Sequence, residues 1–265
     1  MSTYLLRGHL SPNSSRRCQY GRDRTLTLLP QHKQFRKYQW VEIVVTKARD
    51  SRPESYKLVQ DSIRIASGPL STQNEWQLRK DVVFPLRAHC LCCLVKKRNA
   101  EKHPTLGIFR PKHIRRLVIK PTSAVWTARQ LAILRQGHLF ENRPAKELEK
   151  IPYTFQYEFE CDDSGCSGHT IICTDWEMGE SFRKWKVEYG KDWESKFRQK
   201  YETEMIHQRD THFFVGTMNG HPGTWIIVGL FYPPLDQAGS DPQPRLTGLE
   251  RFSHDPDSRL AGILA

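Results

Sequence analysis

The sequence contains no long hydrophobic run, and this absence excludes one class of protein. No segment approaches the roughly 20 consecutive apolar residues that a helix needs to cross a bilayer, so we expect no membrane partner. The first residues, MSTYLLRGHL, turn polar too early to form the apolar centre of a secretory signal. We therefore expect a cytoplasmic protein, whose cysteines are more often free, metal-bound or catalytic than paired in disulfides.

Several familiar catalytic motifs are also missing. The chain has no glycine-rich loop that would cradle a phosphate, no G-x-S-x-G and no H-E-x-x-H. These absences remove the most recognisable nucleotide hydrolases, serine hydrolases and zinc proteases from consideration. We favour a protein without enzymatic activity.

Acidic residues are scarce relative to basic ones. The chain has 41 Lys and Arg against 29 Asp and Glu, a net charge of +12, and residues 1–60 alone have 12 against 4. Such an excess attracts polyanions and predicts nucleic acid as an electrostatic partner. The alternative is that the basic end is merely solvated, in which case the protein is a protein-interaction module without nucleic-acid binding.

The apolar patterns divide the chain into four predicted segments: a basic, poorly ordered segment at 1–36, a mixed strand and helix domain at 37–149, an α+β domain at 150–234 and a disordered tail at 235–265. In the third segment, YTFQYEFEC alternates as a half-buried strand does, and HTIICTDWE is its predicted hairpin partner. An amphipathic helix and a second hairpin follow. The order strand, strand, helix, strand, strand predicts an α+β fold with antiparallel sheets.

A cysteine- and histidine-containing stretch, CDDSGCSGH, lies between the two strands of the first predicted hairpin. Cys161, Cys166 and His169 are zinc ligand types, and the glycines between them allow a tight turn that aims all three at one point. Cys173 lies four residues beyond His169 in a predicted extended strand, about 13 Å away, which is too far for both to bind one ion. Either the loop curls past His169, or a fourth ligand comes from elsewhere, and the candidates are His212, His221 and the group Cys90, Cys92 and Cys93.

Two other interpretations of this stretch remain open beside the structural zinc that we favour. The stretch is a plain polar hairpin with free thiols, or one of its cysteines is a redox or nucleophilic group. The last interpretation needs a stabilised thiolate, which the adjacent Asp162 and Asp163 oppose. In HCLCC, Cys90 and Cys93 share one helix face, and we favour the core for that face because free cysteine is usually buried.

Several blocks together resemble a family of uncharacterised bacterial proteins: KYQWVEI, RPESYK, LGIFRP, IPYTFQYEFECDDSGCSGH, DWE, DTHFFVGT and TWIIVGLFYPP. The resemblance covers residues 37–234. It implies a C-x4-C-x2-H pattern at Cys161, Cys166 and His169, followed by D-W-E at residues 175–177. It implies a fold and a candidate site but no activity.

The D-W-E motif supports an alternative function, a metal-dependent nuclease. Asp175 and Glu177 share a face at the end of a predicted strand, and Lys186 lies downstream. Paired carboxylates with a lysine can hold Mg²⁺ and assist phosphodiester cleavage. The simpler interpretation is a helix N-terminus, because acidic residues stabilise the positive end of the helix dipole.

Overall fold

The computed structural model describes residues 35–48, 52, 54–128, 130–131, 150–218 and 220–235, together with the backbone of a strand at Tyr4–Leu10. The predicted α+β class is confirmed, as is the order strand, strand, helix, strand, strand after residue 150. Among these residues, no helix is both long enough and apolar enough to cross a membrane.

The first unit is a small antiparallel sheet with its own core. It contains β1 (Tyr4–Leu10), β2 (Gln39–Lys47), β3 (Tyr56–Leu58) and β4 (Arg64–Ile65), and β2 pairs with each of the other three strands. Buried and partly exposed residues alternate along β2, as expected for a strand with one face on a core. The core of this unit comprises Phe35, Val41, Ile43, Val45 and Ile63.

The structure describes few residues of the two chain ends that are predicted to be irregular. Residues 1–36 were predicted to be poorly ordered, and no strand was predicted where β1 lies. The other residues up to 34 and the predicted tail from 236 to 265 lie outside the described ranges.

Two helices follow the small sheet. They are α1 (Gln73–Val83) and α2 (Leu91–Glu101), separated by a short 3-10 turn at Phe84–Leu86. Helix α2 begins immediately after Cys90, whose Sγ accepts a hydrogen bond from the backbone N–H of Cys93 over 3.0 Å. The start of α2 therefore presents three cysteines in one helical turn.

The second unit is built on a six-stranded sheet in the order β5, β9, β10, β8, β7, β6. The strands are β5 (Leu106–Phe109), β6 (His113–Pro121), β7 (Tyr153–Glu160), β8 (His169–Cys173), β9 (His212–Met218) and β10 (His221–Phe231). The paired strands are antiparallel apart from β8 and β10, which run parallel where Cys173 faces Ile227. The predicted domain boundary at 149/150 lies in the connection between β6 and β7, and these two strands are paired in the same sheet.

Helices cover one face of this sheet. Helix α3 (Trp176–Tyr189) is followed by α4 (Trp193–Arg198), which continues through a π-helical segment (Gln199–Glu204) to a last turn at Met205–His207. Buried aromatic rings fill the space between helices and sheet, and the Tyr157 hydroxyl donates to the Tyr201 carbonyl over 2.6 Å. The opposite face contacts the first unit through a cluster of Tyr38, Val83, Ile108, Phe214 and Phe231.

Candidate metal centre

The β7–β8 hairpin brings its three predicted ligands together. Cys161 directly follows β7, Cys166 lies in the connecting loop, and His169 is the first residue of β8. The loop returns through Gly168, whose φ of +92° is a conformation that residues with a Cβ rarely adopt. The Sγ of Cys166 lies 3.4 Å from Nε2 of His169 and accepts a hydrogen bond from the backbone N–H of Cys161 over 3.3 Å.

A fourth donor comes from the first turn of α2. The Sγ of Cys92 lies 3.2 Å from Nε2 of His169, and the donor atoms of Cys92, Cys161, Cys166 and His169 all lie within 4.8 Å of one another. Ligands that surround one zinc ion tetrahedrally at 2.0 to 2.3 Å are separated by about 3.5 to 3.8 Å. The four donors therefore include ligand types that zinc takes, and they lie close enough together to hold one metal ion.

The electrostatics of the cluster also favour a cation. The pKa of the Cys92 thiol is raised to about 12, mainly by burial and to a smaller extent by the nearby thiols of Cys161 and Cys166. Burial likewise raises the pKa of Cys161 and lowers that of His169, which keeps the imidazole neutral and able to coordinate. Thiolates crowded in this way repel one another, and a bound divalent cation removes that repulsion.

Cys166 differs from the other two thiols. Burial acts to raise its pKa, but hydrogen bonds from the backbone N–H groups of Cys161 and Gly168 outweigh burial, so that its pKa is lowered. The imidazole of His169 is held in place by the ring of Phe159, whose centroid lies 5.2 Å away. The hairpin itself therefore positions Cys166 and His169, whereas Cys161 also receives hydrogen bonds from the backbone N–H groups of Leu91 and Cys92 at the start of α2.

Asp163 organises the loop and connects it to α2. Its Oδ1 accepts from the backbone N–H of Gly165 over 2.9 Å, and its carbonyl accepts from the N–H of Cys166 over 3.0 Å. Its Oδ2 pairs with the ammonium of Lys96 on α2 over 2.9 Å, and Lys96 holds the pKa of this carboxyl below its usual range.

The other candidate ligands lie apart from this cluster. Cys173 is buried within the sheet opposite Phe155 and Ile227. His212 is buried in β9, and His221 begins β10. Cys90 and Cys93 are joined to each other as a disulfide rather than left as free thiols in the core. Of the group Cys90, Cys92 and Cys93, only Cys92 lies with the hairpin donors.

Asp175 serves as the N-cap of α3. Its Oδ1 accepts from the backbone N–H of Glu177 over 2.7 Å, and its Oδ2 accepts from the backbone N–H of Leu230 over 2.9 Å. Only 3% of Asp175 is exposed. Both carboxylate oxygens thus accept hydrogen bonds from backbone N–H groups. This arrangement fits the interpretation of Asp175 as a residue of the helix N-terminus.

Glu177 lies near a different lysine from the predicted one. Its Oε1 pairs with the ammonium of Lys37 over 3.1 Å, and its Oε2 lies 3.5 Å from the hydroxyl of Tyr232. Lys186 lies in the last turn of α3, about 16 Å along the helix axis from Asp175 at a rise of 1.5 Å per residue. The structure does not bring Lys186 to the two carboxylates.

The fold and this cluster define an α+β protein with a cysteine and histidine group that could hold a metal ion. The chain belongs to an uncharacterised family, as expected: a family model described as Domain of unknown function (DUF8757) matches residues 87–250. A second, described as Domain of unknown function (DUF8758), matches residues 24–85. The two matches adjoin at the 3-10 turn between α1 and α2. No curated protein and no solved structure matches the chain.

Proposed function

We propose that Cys92, Cys161, Cys166 and His169 bind one structural zinc ion, which fastens helix α2 to the β7–β8 hairpin. The convergence of three thiols and an imidazole within 4.8 Å carries this proposal. Thiolate and imidazole donors favour zinc over Mg²⁺ or Ca²⁺, which take oxygen ligands. Four protein ligands fill a tetrahedron and leave no position for a substrate, so the role is structural rather than catalytic.

We propose further that the protein binds nucleic acid through phosphate contacts, without cleaving it. The positive charge that supports this proposal is not confined to the chain ends, since residues 35–235 contain 32 Lys and Arg against 23 Asp and Glu. Edge strand β6 exposes the basic residues Arg115, Arg116 and Lys120. Arg116 is held by a two-pronged ion pair with Glu158, so a phosphate would compete with that carboxylate.

The test of nucleic-acid binding is a salt titration. We expect the logarithm of the affinity for a labelled 20-nucleotide DNA or RNA to fall linearly with the logarithm of salt concentration. The double variant Arg116→Gln and Lys120→Gln should flatten that slope by up to about 2. The matched control, Lys184→Gln with Lys186→Gln, removes two exposed lysines from α3 and should leave the slope unchanged. An absence of binding at low salt would instead favour the protein-interaction alternative.

The nuclease alternative has its own assay. If Mg²⁺ stimulates cleavage of DNA or RNA and Asp175→Asn abolishes it, the nuclease function is correct and the non-enzymatic proposal fails. The engagement of both Asp175 oxygens by backbone amides favours a structural role. We therefore expect no cleavage with either the wild type or the variant.

A further inference from the structure

A second group of metal-ligating side chains lies beside the proposed zinc centre. Cys90 and Cys93 form a disulfide across the first turn of α2, and the donor atoms of Cys90, Cys93 and Asp163 lie within 4.8 Å of one another. The Sγ of Cys90 lies 3.9 Å from Oδ2 of Asp163. This group shares no donor atom with the cluster at Cys92, although both are built from the start of α2 and the same hairpin loop.

The two cysteines differ in burial. Cys90 is fully buried, whereas Cys93 is half-buried. We therefore expect a thiol from solution to attack the Cys93 sulfur rather than the Cys90 sulfur. The backbone N–H of Cys93 already donates to the Cys90 sulfur, so a hydrogen-bond donor is in place for the thiolate that attack at Cys93 would release.

We propose that Cys90 and Cys93 are a reversible thiol–disulfide couple, and that its reduction opens a second cation site completed by Asp163. In the disulfide form the two sulfurs are bonded to each other and cannot act as thiolate ligands. In the dithiol form they become two soft ligands beside one carboxylate. This proposal goes beyond the structural zinc, because the second site would depend on redox state and the first would not.

The exchange reaction needs a reductant, and a small dithiol such as dithiothreitol supplies it. One thiolate of the reductant attacks the Cys93 sulfur, forming a mixed disulfide and breaking the bond between Cys93 and Cys90. The second thiol of the reductant then displaces Cys93 and closes the reductant into a cyclic disulfide. Two electrons and two protons pass to Cys90 and Cys93, which become thiols, and both protons leave when a divalent cation binds.

The site opened by reduction would differ from the first in composition. Two thiolates and one carboxylate are three protein ligands, which leave a fourth tetrahedral position for water. Zinc and cadmium are the divalent ions that such a soft set selects. Lys96 now pairs with Asp163, but its side chain is 71% exposed, so it can move into solvent and free the carboxylate.

The experiment is a count of bound metal in two redox states of the full chain. Protein purified without reductant is split, and one half is treated with dithiothreitol, which is then removed anaerobically. Both halves are equilibrated with zinc and desalted before metal and free thiols are measured. We expect one zinc per chain in the oxidised half and two in the reduced half, with two additional reactive thiols. Equal stoichiometry in both halves, or no disulfide by mass spectrometry, overturns the proposal.

Three variants identify the second site. Cys93→Ser and Asp163→Asn should each bind one zinc in both redox states, since an amide oxygen can still accept from the N–H of Gly165 and keep the loop in place. Circular dichroism would check that each variant is folded. Cys173→Ser, the control, should behave as the wild type does because Cys173 belongs to neither group. If Cys93→Ser still gains a second zinc on reduction, the second site lies elsewhere and the proposal is wrong. If the oxidised wild type holds no zinc but the reduced one holds a single zinc that Cys93→Ser abolishes, the structural zinc fails while the redox-dependent site stands.

Discussion

The sequence suggests two candidate metal sites, one at each end of strand β8. The first is the group of Cys161, Cys166 and His169, and the second is the pair of carboxylates at Asp175 and Glu177. At the first, three thiols and an imidazole face one another, and burial and mutual repulsion raise the pKa of Cys92 and Cys161. At the second, the buried carboxylate of Asp175 receives a backbone N–H on each oxygen.

The two groups differ in whether the fold alone satisfies their polar atoms. A buried polar group whose partners are all supplied by the fold has no need of a ligand. A cluster of thiols that must keep their protons to avoid mutual repulsion can exchange those protons for a metal cation. By this criterion the hairpin cluster is the site, and Asp175 is part of the fold.

The largest expected effect comes from removing one hairpin donor. Cys166→Ser should abolish metal binding and lower the unfolding free energy by several kcal/mol, on the scale of structural zinc sites. Cys173→Ser makes the same chemical change inside the sheet, where burying the more polar hydroxyl costs about 1 to 3 kcal/mol. Thermal unfolding with metal analysis compares the two. Equal losses with unchanged metal content would contradict the assignment of Cys166.

Replacement of Asp175 tests the other half of the comparison. Asp175→Ala removes the cap of α3 and leaves the buried N–H of Leu230 without its acceptor, so we expect a loss of about 3 kcal/mol. The variant should retain its metal. Urea unfolding and metal analysis of the same preparation measure both. Full stability in the variant would show that Asp175 is not a structural cap.

His212 extends the comparison to a second buried polar residue whose partners the fold supplies. Its Nδ1 lies 2.9 Å from the carbonyl of Asp210, so Nδ1 carries the proton, and Nε2 accepts from Arg87 over 3.2 Å. Burial lowers its pKa to about 4. The unfolded chain, with a histidine pKa near 6.5, binds the proton first as the pH falls. Stability is therefore fully present above about pH 6.5 and is lost progressively towards pH 4.

The size of this effect follows from the two pKa values. Between pH 7 and pH 5 the His212 contribution should fall by about 2 kcal/mol. Urea unfolding of the wild type and His212→Gln at both pH values isolates it, because other titrating groups contribute equally to both proteins. An identical pH dependence in the two would show that His212 protonates as readily in the fold as outside it.

The smallest expected effect concerns Glu177. Its ion pair with Lys37 is partly exposed, with 19% and 32% of the two side chains accessible, and such pairs contribute up to about 1 kcal/mol. Glu177→Gln should therefore lower stability by less than 1 kcal/mol and leave metal content unchanged. A loss as large as that of Asp175→Ala would mean that the two acidic residues are equivalent, against the comparison.

Local patterns predicted the elements that depend on local periodicity. The alternation in YTFQYEFEC gives β7, with Phe155, Tyr157 and Phe159 buried. The predicted amphipathic helix is also present, and its aromatic residues at four-residue spacing, Trp193, Phe197 and Tyr201, are buried against the sheet. Tyr189, at 38% exposure, ends α3 just before the chain turns through Gly190.

Long-range relations were beyond the same reasoning. The parallel pairing of β8 with β10 joins residues 54 positions apart, and no local pattern records it. The three-residue spacing of Cys90 and Cys93 indicated that these two share a helix face. The donor that contacts the hairpin is instead Cys92, because the orientation in which α2 packs determines which of its residues face the hairpin. The lysine beside Glu177 is Lys37, which lies 140 residues away in sequence.

The most direct test is the metal content of the wild-type protein purified without added metal or reductant. We predict one zinc ion per chain that survives desalting, together with a marked fall in the thermal midpoint when a strong chelator removes it and recovery when zinc is returned. Protein that contains no metal, takes up none and unfolds at the same temperature with and without chelator would contradict the assignment of Cys92, Cys161, Cys166 and His169 as a zinc centre.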